Sequence, residues 1–293
     1  MLDNPQPEFR NPQSKDMYVE KYGSGERAYL GVHGWGGDHR TFAPLVERMP
    51  RGYAFYAPDL PGYGHSPSPR EWSLSAIAEN IASAITSIDA AKVTLIGNCS
   101  GAILGLLAAN GFDERVERFV LIDPFAFMPW YFKIFVAGDF GRVAYYSTFA
   151  NPVGRWMTNL SLKGRRTSET NLTHSFGAID HEVSYRYLQL LSGVGGITQF
   201  SRINAPIDIV YGEKTFSAIK QSLRLWQGIW PHARSSELRG AGHLPILEAT
   251  EQLSEIVFAP ERVPGFWLRA HGSSSEEMAR TISCRDAESE SGN

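Results

Sequence analysis

The chain has 293 residues, of which 43% are hydrophobic and 20% charged, and its formal net charge at pH 7 is −3. These values are ordinary for a globular protein and exclude disorder over most of the chain. The nearly balanced charge argues against nucleic acid as a partner and gives no indication of any partner selected by bulk charge.

The cysteines and the N-terminal residues set further limits. The two cysteines, Cys99 and Cys284, lie far apart, which argues against a disulfide framework and against a metal-binding Cys/His cluster. Residues 1–7 lack the basic and apolar segments of a signal peptide, and no apolar run approaches the ~20 residues of a membrane span. We therefore expect a cytoplasmic protein with no membrane span, no bound metal and no cofactor.

In chain order, residues 1–14 are predicted to form a flexible arm, and strands and helices then alternate. Apolar runs predict strands at 17–22, 28–32, 53–57, 92–96 and 118–122, and helical periodicity predicts helices at 41–49, 74–88 and 102–109. Several of the runs are uniformly apolar. This pattern predicts an α/β protein with a doubly wound, mostly parallel sheet covered by helices on both faces.

The alternation stops at residues 124–204, which carry helical signals, no convincing strand and many aromatic side chains. We expect them to form a helical cap, inserted after the sixth strand, over the carboxyl edge of the sheet, where ligands bind. Most of the aromatic residues should pack the cap itself and a minority should line a pocket. The core, residues 15–123 and 205–263, resumes with a strand at 207–211, a helix at 217–229 and a short strand at 236–238. Residues 264–293 are hydrophilic and are predicted to be a disordered tail.

The most informative motif is Gly97-Asn98-Cys99-Ser100-Gly101, which lies between a predicted strand and a predicted helix. A residue on such a sharp turn is held in strained geometry with its side chain exposed, and the residues two before and two after it must be small. Free N–H groups at the helix start favour a thiolate there. The motif therefore indicates Cys99 as a candidate nucleophile. Ser100 is the alternative, but a turn centred on Ser100 would place Asn98 and Ala102 at the two positions that must be small. Cys99 as a buried, unreactive side chain is a further alternative.

This motif resembles the G-x-S-x-G nucleophile elbow of the α/β-hydrolase superfamily, with Cys99 in place of the usual serine. Dienelactone hydrolases, which belong to that superfamily, also use a cysteine. The resemblance covers about residues 18–263, although the cap matches only in length and helical character. It implies the α/β-hydrolase fold and places the catalytic histidine at His243, in Gly240-Ala241-Gly242-His243 after the last predicted strand. An imidazole there can accept the thiol proton and later deliver it to a leaving group.

The resemblance implies a catalytic triad of nucleophile, histidine and acid, but it does not decide which residue is the acid. The stretch in which many members place an aspartate has Thr215 at the expected position. Some relatives instead place the acid after the preceding strand, where this chain has Asp123, followed by a segment that resembles that of haloalkane dehalogenases. Asp123 is therefore the preferred acid and Glu213 the alternative, and a cysteine–histidine pair without an acid is the third option, because thiols ionise easily.

Two other motifs match the family. His33-Gly34-Trp35-Gly36 resembles its H-G-x-G loop, which implies an oxyanion hole formed by the backbone N–H groups of Trp35 and Ser100. Residues 59–66 resemble its D-x-P-G-x-G-x-S turn and are interpreted as structural, including His65.

We therefore expect a hydrolase of esters, thioesters or lactones that forms an acyl-enzyme on Cys99. The aromatic cap favours a small-molecule substrate with an apolar acyl or aromatic group. An acyltransferase or cyclase with the same residues is one alternative, and a ligand-binding member of the fold without activity is another. The sequence gives no oligomeric state.

Overall fold

One seven-stranded sheet organises the fold. In the computed structural model, which describes residues 17–110, 114–165, 167, 171 and 173–259, the strand order is β1-β3-β2-β4-β5-β6-β7. The strands are β1 (Val19–Gly23), β2 (Arg27–Val32), β3 (Tyr53–Pro58), β4 (Val93–Asn98), β5 (Val116–Ile122), β6 (Ile207–Gly212) and β7 (Arg234–Leu238). Only the β1–β3 pair is antiparallel. The mostly parallel sheet predicted from the sequence is confirmed.

Uniformly apolar sequence explains the central strands. In β2 every residue after Arg27 is buried, and in β4 every residue before Asn98 is buried. A strand buried on both faces needs no polar alternation, which is why these runs were recognisable in the sequence. Trp226 and Trp230, both fully buried, stack with ring centroids 4.9 Å apart within the same core.

Ten α-helices complete the described fold. They are α1 (Ala43–Val46), α2 (Leu74–Ser87), α3 (Ser100–Ala109), α4 (Trp130–Lys133), α5 (Gly138–Tyr145), α6 (Pro152–Ser161), α7 (His181–Ser192), α8 (Ser217–Ile229), α9 (Pro245–Glu248) and α10 (Thr250–Val257). Side-chain caps set several of the starts. Ser73 accepts a hydrogen bond from Ala76 N ahead of α2, and Asp180 accepts from Glu182 N ahead of α7. These elements belong to one compact unit that ends at Val257.

Residues between β5 and β6 form a helical insertion that contains α4 to α7 and, among its described residues, no strand. It has an aromatic core of its own, in which Tyr145, Phe149 and Phe176 pack with Tyr185 and Leu188. In the described chain the insertion follows the fifth strand, β5, so its predicted position after a sixth strand is not confirmed. Only five apolar runs precede Pro124, and the stretch ahead of β1 lies outside the described residues.

One predicted helix differs from the structure. The sequence predicted a helix over 41–49, but a 3-10 turn (His39–Phe42) is followed by the four-residue α1. Pro44 lies in the first turn of α1, where a residue without a backbone N–H is tolerated, so a regular helix cannot run through it from Thr41.

Some expectations fall on residues that the structure does not describe. The arm 1–14, the tail 264–293 and Cys284 lie outside the described residues. Whether the helical insertion is a separate domain stays a prediction. Within the described chain, no helix combines the length and hydropathy that crossing a membrane requires.

Candidate active site

Cys99 occupies a strained turn between β4 and α3. Its backbone has φ 52° and ψ −116°, a left-handed conformation that costs a non-glycine residue about 1–2 kcal/mol. The Cys99 N–H donates to Ile122 O at 2.8 Å, which ties the turn to the end of β5. The strained residue is thus Cys99, whereas Ser100 has entered α3 as its first residue.

The two glycines that flank this turn are sterically required. A Cβ on Gly97 would overlap the backbone of Ala102, and a Cβ on Gly101 would overlap the carbonyl oxygens of Val32 and His33. The crowding expected two residues on either side of Cys99 is therefore present, and it comes from the start of α3 on one side and the end of β2 on the other.

Asp123 follows β5 directly and is fully buried, with a left-handed φ of 47°. Its Oδ1 accepts a hydrogen bond from Gly212 N at 3.1 Å. Its Oδ2 accepts from Thr215 Oγ1 at 2.6 Å and lies 2.7 Å from His243 Nδ1. The structure thus brings Asp123 and His243 into direct contact, and Asp123 fixes the imidazole so that Nδ1 carries its proton.

The charge of His243 depends on these neighbours. Burial alone would lower its pKa, but the hydrogen bond to Asp123 and the interaction with Cys99 outweigh burial and raise the pKa to about 10. The ring also packs against two aromatic side chains, with centroid distances of 4.6 Å to Phe216 and 5.8 Å to Phe125. At neutral pH the geometry therefore favours an imidazolium between a carboxylate and a sulfur.

Glu213, the alternative acid, has a different set of contacts. Its carboxylate accepts a hydrogen bond from Gly240 N at 2.7 Å, at the turn that precedes His243. The described hydrogen bonds of the His243 ring go to Asp123 and Thr215 instead. Thr215, which stands where the sequence resemblance implied an acid, was not predicted to be a partner of Asp123. Its position in the family pattern was the available signal.

Glu248, in α9, also escaped the sequence analysis. Its Oε2 accepts from Gly242 N at 2.7 Å and from Leu244 N at 3.3 Å, the residues on either side of His243. Its Oε1 accepts from Thr167 N at 2.9 Å, in the helical insertion. The His243 N–H donates to Arg165 O at 3.2 Å. The histidine loop is therefore held by α9 and by the insertion together, and no local sequence signal indicates this.

The glycine-rich loop after β2 lies beside Cys99. His33 is fully buried, its Nε2 accepts from Leu60 N at 3.0 Å, and its Nδ1 lies 2.8 Å from Gly34 O. Burial lowers the pKa of His33, so a neutral imidazole holds the loop. The backbone N–H groups of Trp35 and Ser100 donate to no other described residue. Both are therefore available to a ligand.

Cys99, Ser100 and His243 line a cavity of about 890 Å³. Most of its wall comes from the helical insertion and is apolar. No carboxylate of a described residue lines it, and its charged side chains other than His243 are Arg40 and Lys133. The Phe, Trp and Tyr residues of the insertion that line it are Phe125, Phe127, Trp130, Tyr131, Phe132, Phe135, Phe149, Phe176 and Phe200. The arrangement suits an apolar ligand next to a thiol.

A second cluster of polar side chains lies at the turn after β3. Among the described residues, His39, Asp59 and His65 place ligand atoms within 4.8 Å of one another, as a metal site would require. Asp59 is already engaged, since Oδ1 accepts from His39 N and contacts His39 Nδ1, and Oδ2 accepts from His65 N. These bonds fit the structural role that the sequence predicted for the turn.

Comparison with known families gives one match over most of the chain. The family model described as "Alpha/beta hydrolase family" matches residues 30–256. Among curated proteins, a pimeloyl-[acyl-carrier protein] methyl ester esterase from Neisseria meningitidis is 32% identical over 101 residues, which is 34% of this chain and 37% of that relative. Lipase LipV from Mycobacterium tuberculosis is 29% identical over 110 residues, 37% of this chain and 42% of the lipase. The matched segments thus span less than half of each relative's length.

Solved structures agree on the fold. An esterase from Thermogutta terrifontis has a TM-score of 0.67 at 19% identity, covering 82% of this chain and 91% of the esterase. The enol-lactonase from Burkholderia xenovorans has a TM-score of 0.65 at 16% identity, covering 82% of this chain and 94% of the lactonase. At such identities the likeness concerns the fold alone.

Proposed function

The chain belongs to the alpha/beta hydrolase family, and from this premise we propose that it is an enzyme that hydrolyses carboxylic ester, thioester or lactone bonds through Cys99, His243 and Asp123. The observation that carries the proposal is the position of Cys99 on the strained turn, with His243 interacting with its thiol and bonded to Asp123 at 2.7 Å. The similarity to an esterase and a lipase supports the same class of reaction.

The first half of the reaction forms a thioester. Cys99 Sγ attacks the carbonyl carbon of the substrate while its proton is held by His243, and the oxyanion accepts hydrogen bonds from Trp35 N–H and Ser100 N–H. The C–O bond then breaks, and the leaving alcohol takes the proton from His243. A histidine protonated at neutral pH, as a pKa of about 10 implies, is suited to this donation.

The second half consumes water. Once the thioester has formed, the sulfur no longer carries charge and His243 has lost its proton, so the imidazole accepts a proton from the attacking water. The tetrahedral intermediate collapses and the C–S bond breaks, which releases the carboxylic acid and restores the charge on the Cys99 sulfur beside a protonated His243. Asp123 supports the imidazolium in both halves.

The apolar cavity supports a substrate with an apolar acyl or aromatic part. An amide is a poorer substrate, because a thiolate leaves more readily than an unprotonated amine and the intermediate reverts.

The test is intact-protein mass spectrometry after brief exposure to activated acyl esters and thioesters of graded chain length, with peptide mapping of any adduct. We expect one acyl group on Cys99, none on the Cys99→Ala variant, and turnover to free acid. An adduct on Ser100 would contradict the assignment of the nucleophile. An acyl group that leaves only after addition of an alcohol or amine acceptor would replace hydrolysis by acyl transfer.

A further inference from the structure

The outer face of α6 is apolar and exposed. Val153, Trp156, Met157 and Leu160 are 64%, 66%, 60% and 56% exposed, respectively. Their spacing of three and four residues places them on one side of the helix. Exposing four large apolar side chains to water in one stripe of a ten-residue helix is unfavourable and uncommon on protein surfaces. Such stripes mark sites of interaction.

The other side of the same helix belongs to the cavity. Thr158, Ser161 and Leu162 line it, whereas none of the four exposed residues does. The apolar stripe is therefore not a part of the cavity wall, and α6 separates the cavity that contains Cys99 from whatever covers the stripe.

The charged side chains in the segment that carries α6 have one sign. Residues 141–168 contain five arginines and lysines and no aspartate or glutamate. Two of the five are engaged, since Arg142 pairs with Glu182 and Arg155 donates to the carbonyls of Phe149 and Ala150. Lys163 and Arg165, directly after α6, are exposed and form no ion pair with another described residue.

We propose that the outer face of α6, together with Lys163 and Arg165, docks on the surface of an anionic phospholipid bilayer. A helix with tryptophan and aliphatic side chains on one face and cations beside it is suited to the boundary between headgroups and acyl chains. The lysine and arginine gain from anionic headgroups within a Debye length of about 8 Å. The chain's net charge of −3 does not oppose this, because distant charges are screened.

The same charges disfavour a second copy of this chain as the occupant. A symmetric contact through α6 would bring Lys163 and Arg165 of both copies to one interface, with no acidic residue in 141–168 to balance them. Docking on a bilayer would place the cavity behind α6 next to the lipid phase, from which apolar substrates partition. The docking itself does not depend on the proposed reaction.

The test is flotation of the full chain with large unilamellar vesicles, either of pure phosphatidylcholine or with about a third phosphatidylglycerol. We expect binding to the anionic vesicles, with a blue shift of tryptophan fluorescence, and much weaker binding to phosphatidylcholine. Trp156→Ser with Met157→Ser should weaken the partition coefficient at least about tenfold. Lys163→Glu with Arg165→Glu should weaken it more than about 25-fold, at about fivefold for each cation lost.

Control variants remove an exposed apolar side chain or reverse two cations elsewhere on the surface. Leu225→Ser removes an exposed leucine from α8, and Arg51→Glu with Lys92→Glu reverses two exposed cations. Both controls should bind as the parent does, and all variants should show the parent's circular dichroism. The proposal is overturned if the parent does not float with anionic vesicles, or if the α6 variants float as well as the controls. It is also overturned if ultracentrifugation shows a dimer that Trp156→Ser with Met157→Ser dissociates.

Discussion

Cys99 and Asp123 are the two described residues other than glycine with positive φ angles. Each follows directly on a parallel strand, and each is fixed by a backbone hydrogen bond to the neighbouring strand, Cys99 N to Ile122 O and Asp123 N to Val210 O. These hydrogen bonds to the sheet hold both residues in their strained conformations and keep their side chains at the same edge of the sheet.

At the residue scale, replacing Asp123 by asparagine should lower the pKa of His243 from about 10 towards its ordinary value, because the carboxylate charge is lost. Titration of the imidazole ring protons by NMR measures this shift. Activity should fall about 10²- to 10⁴-fold, the range expected when a triad loses its acid.

Glu213→Gln is the matched control, because Glu213 bonds the turn at Gly240 rather than the imidazole. It should leave the His243 titration nearly unchanged. A larger loss in Glu213→Gln than in Asp123→Asn would instead assign the acid to Glu213.

Local spacing made part of the site predictable. The elbow and the Gly-Ala-Gly-His segment are short motifs, so Cys99 and His243 could be singled out from the sequence, and the end of β5 indicated Asp123. Thr215 could not be assigned in the same way, because its partner Asp123 lies 92 residues away in the chain and the contact exists only after folding. Glu248 lies six and four residues from Gly242 and Leu244, but no short motif indicates these bonds or the bond to Thr167, 81 residues away.

At the element scale, α9 positions the histidine loop through one side chain. Glu248→Ala removes the acceptor for Gly242 N and Leu244 N, so we expect a less ordered His243. The expected result is a decrease in kcat of about tenfold with little change in KM, together with a changed pH profile, and Glu248→Gln should retain part of the activity.

Steady-state kinetics of the Glu248 variants, measured across pH, test this prediction. Glu251→Ala, which removes an exposed acidic side chain from α10, is the control. A variant that melts at a lower temperature but keeps the parent's rate and pH profile would reduce Glu248 to a purely structural role.

Elements were predictable where one physical signal dominated. Buried strands appeared as apolar runs, and α2 and α8 as helical periodicity. The helices of the insertion were predicted only as a class, because its aromatic residues include both buried and exposed side chains and so do not mark which face of a helix packs inward. Tyr145 and Phe149 are buried in the insertion, whereas Phe140 and Trp156 are 73% and 66% exposed, and composition alone does not separate them.

At the scale of the whole molecule, His243 links stability to pH. Its folded pKa of about 10 lies above the value of about 6.5 expected in the unfolded chain, so the stabilisation is fully present below pH 6.5 and is lost as pH rises through 10. Urea unfolding of the parent and His243→Asn should therefore differ most near pH 6.5 and least near pH 10. The change should be on the order of a few kcal/mol. A difference that is constant with pH would contradict the raised pKa.

The order of these residues along the chain has a consequence for synthesis. Cys99 and the whole helical insertion leave the ribosome before His243, which follows about 140 residues after Cys99. At roughly 5–20 residues per second, synthesis from Cys99 to His243 takes roughly 7–29 s. On the proposed mechanism, the cysteine has no imidazole to accept its proton during that interval, and we expect the growing chain to be protected from premature acylation until the segment that contains His243 has folded.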